Sequence, residues 1–226
     1  MKINNLVIII IILSLSNQLK AQNIAIKQDF GIWIGVKLDK ELPNNFNLSL
    51  EQQLRTWKNT TRIDKYWAAM GLNYTINKNF KLNANLRYIH DSNKWQRPHN
   101  SIRYNLGIQF KIKMGKKFRF FYRIQYQQKF THNHRAFTFK EVSATRHKIK
   151  LQFKPKKNHK FYCATELFIK SDLLTQNYFD KQRFILGDKI KREIGTFDVG
   201  IGCEVNLKPN HFSSFFFLKL IYTINL

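Results

Sequence analysis

From Asn100 to Lys113 apolar and polar positions alternate without a slip. Ile102, Tyr104, Leu106, Ile108, Phe110 and Ile112 share one parity, and Arg103, Asn105, Gly107, Gln109, Lys111 and Lys113 share the other. Successive side chains of a strand point to opposite faces, so this stretch predicts a strand with one oily and one wet, cationic face. The same rhythm runs from end to end. Phe30, Ile32, Ile34, Val36 and Leu38 oppose Gly31, Trp33, Gly35 and Lys37; Leu48, Leu50 and Leu54 oppose Ser49, Glu51, Gln53 and Arg55. It resumes at Tyr66–Ile76, Phe80–Tyr88, Phe118–Tyr126, Arg146–Phe153, Phe161–Lys170 and Phe197–Leu207, weakens over 183–192, and ends in SFFFLKLIYTINL. Helical periodicity is absent, which predicts an all-β chain.

Three features direct the oily parity toward lipid rather than toward the core of a soluble sandwich. Many of the predicted strands reach ten residues or more, whereas soluble strands run to about five or six and tilted membrane-spanning strands need about 9–11. Short connections (LPNN, NKN, MGKK, PKKNH) alternate with longer ones (KNTTRIDK, DSNKWQRPHN, THNHRAFTFKEVSA), as in an up-and-down barrel. Oily-parity aromatics gather near strand ends at Phe46, Tyr66, Tyr74, Phe80, Tyr88, Phe110 and Phe118, in the manner of interfacial girdles. The expected fold is an antiparallel up-and-down transmembrane β-barrel of about twelve strands. Twelve takes NIAIK (23–27) as a short first strand; ten follows if one strand has been split around Ile190 to Gly195. A soluble exported β-sandwich binding protein is the alternative.

The start, MKINNLVIIIIILSLSNQLKAQ, has a positive Lys2, an apolar run from Leu6 to Leu13 and a small-residue site at Leu19-Lys20-Ala21. That is the pattern of a removable signal peptide, 1–21, leaving 22–226 as a single outer-membrane barrel domain. The net charge of +25 would suit nucleic acid, but export argues against that partner, and much of the Lys excess fits the codon bias of an AT-rich genome. Cys163 and Cys203 both fall on oily parity and read as small apolar side chains; whether they ever pair is left open.

The wet parity carries Glu51, Arg55, Arg87, Arg103, Arg119, Arg123, Glu166 and Glu204, with Lys37, Lys81, Lys111, Arg146, Lys148, Lys150, Lys170 and Asp198. Two readings stay open. Glu51, Glu166, Asp198 and Glu204 pair with Arg55, Arg87, Arg103 and Arg123 in a network that fills a narrow lumen. Alternatively, the surplus cations line a porin-like path for small anionic solutes. Loop and turn cations such as Lys58, Arg62, Lys94, Arg97, Lys116, Lys117, Lys156 and Lys157 suit the phosphates of lipopolysaccharide. A lipid-modifying hydrolase or acyltransferase would need a base and nucleophile near the lipid interface, for which His90 or His147 with Ser92 or Ser143 are the candidates. HNH (132–134) supplies at best half a metal site. No cofactor motif is present, and neither catalytic nor metal residues are assigned.

With the signal peptide, FGIWIGVKL, the strand containing LEQQLR, the hairpin GLNYTINKNFKLNANLRY and RFILG, the chain resembles the DUF2490 family, outer-membrane β-barrel proteins of uncertain function frequent in Bacteroidetes. Trp33, Glu51, Arg55 and Arg87 match recurrent positions of that pattern. The chain departs from it by ending in Leu226 rather than in an aromatic residue; Tyr222 and the preceding Phe cluster would serve instead. The resemblance implies location and fold, and brings no activity.

Overall fold

The computed structural model describes residues 27–92, 98–133, 138–172, 175–207 and 213–226. They form eleven strands: β1 (Lys27–Glu41), β2 (Phe46–Trp57), β3 (Arg62–Thr75), β4 (Phe80–Asp91), β5 (His99–Met114), β6 (Phe118–Asn133), β7 (Thr138–Phe153), β8 (His159–Asp172), β9 (Thr175–Lys191), β10 (Gly195–Asn206) and β11 (Ser213–Asn225). Each pairs with its sequence neighbours, and β1 pairs with β11, closing one barrel. A single closed sheet replaces the two-sheet sandwich weighed above.

Eleven lies between the two counts read from the alternation. The odd number closes because β1 and β11 run parallel, from Lys27 opposite Ser213 to Asp39 opposite Asn225, while every other seam is antiparallel. Of NIAIK only Lys27 is a described residue, and it begins β1. The Ile190 to Gly195 region is a turn, with the Arg192 amide donating to the Gly195 carbonyl at 2.7 Å, so β9 and β10 are separate strands.

The connections are more even than the sequence predicts, because strands extend into the longer links. KNTTRIDK contracts to a turn at 58–61, and most of THNHRAFTFKEVSA is absorbed into β6 and β7, each 16 residues long. At 58–61, Lys58, Asn59 and Thr60 all have positive φ, an arrangement rare outside Gly and Asn. The Asp29 carboxylate on β1 holds it, accepting from the amides of Lys58 (3.1 Å) and Asn59 (3.0 Å). At the opposite mouth, Asn44 and Asn45 supply the left-handed positions of LPNN, and the Asn77 side chain accepts from the amides of Asn79 and Phe80.

The oily parity faces outward throughout. Ile34, Val36, Leu50, Met70, Leu86, Ile102, Leu106, Leu186, Ile201 and Leu218 are all exposed, whereas Gln53, Ser101, Asn105, Gln125, Gln127, Glu166 and Arg183 are buried inside. Soluble proteins have the reverse arrangement. Around the mouth that carries the 42–45 turn, outward aromatics meet as cross-strand neighbours. Ring centroids are 4.8 Å apart for Phe46 and Tyr74, 5.0 Å for Phe80 and Phe110, 4.8 Å for Phe118 and Phe153, and 4.5 Å for Phe197 and Tyr222.

Candidate functional site

With outward residues assigned, every remaining side chain of a strand points into the barrel. Strands ~4.8 Å apart and tilted by roughly 40° place the backbone of an eleven-stranded barrel at a radius of about 11 Å. That is narrow enough for long side chains from separate strands to meet. They do so unequally, and the interior divides into two walls.

One wall comprises β7 to β11 and β1 to β3 and is filled. Trp33 on β1 stacks on Phe217 of β11, with centroids 3.6 Å apart and planes 10° apart, and both rings are fully buried. The Phe217 ring needs the bare backbone of Gly202 opposite it on β10, where an added Cβ would lie 2.2 Å from the ring. Gly187 opposite Tyr162 makes the same allowance. Arg55 lies 3.8 Å from the Trp33 ring centre and accepts further order from Gln53, to whose side-chain oxygen its Nε donates at 2.8 Å. Arg87, reaching over from β4, lies 3.5 Å from the Trp67 ring. From the other side Arg183 of β9 comes within 4.8 Å of the Trp33 ring.

Arg183 is also the centre of the wall's ion pairs. It donates to Glu166 at 3.0 Å and to Glu204 at 2.6 Å. Glu166 is 1 % exposed and accepts in addition from Arg146 and from Lys148 at 2.6 Å, while Glu204 takes Lys181 at 2.9 Å. Register explains the cluster: Lys148, Glu166, Arg183 and Glu204 stand directly opposite one another on β7, β8, β9 and β10. Nearer the 42–45 mouth, Asp198 accepts from Lys219 (2.7 Å) and from the Tyr162 hydroxyl (2.6 Å).

The second wall, β4 to β6, is built from amides and cations. Its inward residues include Asn83, Asn85, Arg87, Arg103, Asn105, Gln109, Lys111, Arg119, Arg123, Gln125, Gln127 and Lys129. Among the described residues its one inward carboxylate is Asp91, at the rim and 3.5 Å from Lys65. Arg87, Arg103 and Lys129 stand directly opposite one another on the three strands. The Nε atoms of Arg87, Arg103 and Arg123 are buried without a hydrogen-bond partner. Asn105 donates to Asn85 at 2.9 Å.

The site residues expected from sequence therefore separate. Glu166 and Glu204 meet in one network, but through Arg183, Arg146, Lys148 and Lys181 rather than through the expected arginines. Arg55 and Arg87 lie on tryptophan rings instead of carboxylates. Glu51 faces Lys37 across the β1 and β2 seam, while Lys37 pairs with Asp39 at 2.9 Å. Arg103 and Arg123 lie on the cationic wall, and Arg119 stands opposite Lys113 near the 115–117 turn. Sequence reading passed over Arg183 because 183–192 alternates poorly; a register shift between Phe168 and Ile169 in the β8 and β9 pairing lies beside it. The inward Trp33 and Trp67 were the available sign that some arginines would stack.

The outward candidates do not assemble into a catalytic group. His90 faces Asn100 at 2.7 Å and stacks on Tyr66; His147 faces the Tyr122 hydroxyl at 2.9 Å, and Ser143 faces Tyr126 at 3.2 Å. Ser143 and His147 sit four residues apart on one extended strand, a separation of about 13 Å. His134 lies outside the described residues, and no cluster of metal-ligating residues occurs among those described. Cys163 and Cys203 are free thiols on β8 and β10.

Comparison with curated proteins gives no match. The pattern that spaces these walls, from Phe30 at the head of β1 to just beyond β10, is matched over residues 30–210 by the family model described as a protein of unknown function, DUF2490, and the chain belongs to that family.

Proposed function

We propose that this β-barrel resides in the bacterial outer membrane and provides a narrow, anion-favouring passage. The observation that carries the passage is the β4 to β6 wall, where arginines and lysines line the interior with one rim carboxylate among them. Rings and rows of Arg and Lys are how anion pores attract their solutes. Location draws its support from the inverted exterior. Apolar side chains on this scale, bounded by an aromatic row at one mouth, suit a hydrocarbon layer and would promote aggregation in water. No helix among the described residues is long and apolar enough to cross a membrane. The filled wall narrows the path and leaves the cationic wall as its open side.

The test is single-channel current across a planar bilayer under a salt gradient. Stable steps with an anion-selective reversal potential are expected, and Arg103→Glu with Arg123→Glu should shift that potential toward cation selectivity. A folded, heat-modifiable barrel that never conducts would overturn the passage and leave the interior as a plugged scaffold.

A further inference from the structure

Among the described residues, Arg87, Arg103 and Lys129 form a row of three cations with no salt bridge to a carboxylate. They occupy one cross-strand row, with Arg103 directly opposite both of the others. Like charges directly opposite each other on antiparallel neighbours are destabilising. On β7 to β11 several inward cations find carboxylates: Lys148 has Glu166, Lys181 has Glu204, Lys170 has Asp180 and Lys219 has Asp198. Here the nearby rim carboxylate, Asp91, accepts from Lys65.

From this row we infer a lumenal binding site for a phosphate-type oxyanion, held between Arg87, Arg103 and Lys129. The inference rests on the same cationic wall as the proposed passage and goes further, to a resting position and a ligand class. Three things favour an oxyanion over a halide. Strand spacing sets the three backbone positions over roughly 10 Å, and long side chains from that span suit a tetrahedral group with several oxygens better than a single small ion. Two of the three are guanidinium forks, whose paired N–H groups match two oxygens of one phosphate or sulfate. The Nε donors of Arg87 and Arg103 are buried without an acceptor, a condition folded proteins rarely leave uncorrected, and an oxyanion binding along the Nε edge of the fork supplies one.

The surroundings are compatible. One step toward the 58–61 mouth, the Ser101 and Thr131 hydroxyls lie 3.1 Å apart on β5 and β6, and one of them has a proton to turn toward the ligand. Arg87 is fixed from behind by the Trp67 ring, which holds its plane without using its hydrogen-bond donors. The side chains of Arg87, Arg103 and Lys129 keep part of their surface exposed and point to the barrel interior.

Inorganic phosphate is titrated into the full chain folded in detergent micelles, at constant ionic strength set with sodium chloride. Heat of binding and tryptophan fluorescence are followed together, since Trp67 sits against Arg87. A saturable isotherm is expected that chloride alone does not produce, that sulfate displaces, and that weakens about tenfold or more in Arg103→Gln and in Lys129→Gln. Lys117→Gln, in the exposed 115–117 turn, should titrate as the unaltered chain does. Glycerol 3-phosphate in place of phosphate separates the two sources of the group: equal affinity means a phosphate ester is accepted, and loss of affinity means the free ion alone is held. A linear, non-saturating response, or an equal loss in Lys117→Gln, overturns the site. Binding in micelles needs no conducting lumen, so saturable binding without current would remove the passage and keep the site, while current without saturable binding would do the reverse.

Discussion

The wall made by β7 to β11 and β1 to β3 and the wall made by β4 to β6 obey the same alternation and differ in what they place inside. The first holds Trp33, Trp67, Tyr162, Phe168 and Phe217 together with Glu166, Asp198 and Glu204, so nearly every charge it contributes is matched or stacked. The second holds amides and cations, and Phe121 is the one phenylalanine, tyrosine or tryptophan among its inward residues. Bulk and matched charge make the first wall a core in the ordinary sense, with the density and the intolerance of change that go with it. The second gains little from its own neighbours. Among its arginines, Arg87 lies on the Trp67 ring at its edge.

That contrast fixes the sign of what substitutions should do. Glu166→Gln would strand Arg146, Lys148 and Arg183 around a neutral amide, and loss of one partner from a buried ionic cluster costs about 3–5 kcal/mol. Denaturant unfolding in detergent, followed by heat-modifiable migration, should show a correspondingly lower midpoint. An unchanged midpoint would mean that water in the lumen screens the cluster and that the filled wall is not a core. Gly202→Val drives a side chain into the Phe217 ring and should cost about 1–3 kcal/mol in the same assay, as overpacking does. The smallest effect is also the sharpest. Arg103→Gln removes a repulsion and leaves no carboxylate behind, so it should stabilise the ligand-free barrel by about 0.2–1 kcal/mol. If Arg103→Gln destabilised as Glu166→Gln does, the two walls would be energetically alike and the distinction between them would fail.

Much of this architecture was legible from alternation alone, since a period of two assigns each residue to a face. Lys37, Glu51, Arg87, Arg123, Lys148, Glu166 and Glu204 all point where their parity places them. Parity carries no information about which strand position stands opposite which, and that register decided the partners. Arg55 was expected on a carboxylate and stands opposite Trp33; Arg87 stands opposite Ala69 and Arg103 and leans onto Trp67. Arg183 was lost for a different reason. Outward Gln182 and Asp188 with inward Ile185 and Gly187 blur the pattern along β9, and the register shift beside it breaks the count. The residue that ties the filled wall together therefore sat in the stretch with the weakest signal.

The parallel seam has a consequence for how the molecule can be made. In an even-stranded meander both chain ends return to one mouth, whereas here Lys27 starts β1 beside the 58–61 turn and Leu226 follows β11 at the mouth that bears the 42–45 turn. Every other seam joins strands that are neighbours in sequence, and the seam of β1 with β11 does not. Their pairing joins the two extremes of the described sequence, so its loop-closure entropy exceeds that of any other seam. The stack of Trp33 on Phe217 straddles that seam, so the contact that seals the barrel is the first whose loss would leave an open, eleven-stranded sheet with two unpaired edges.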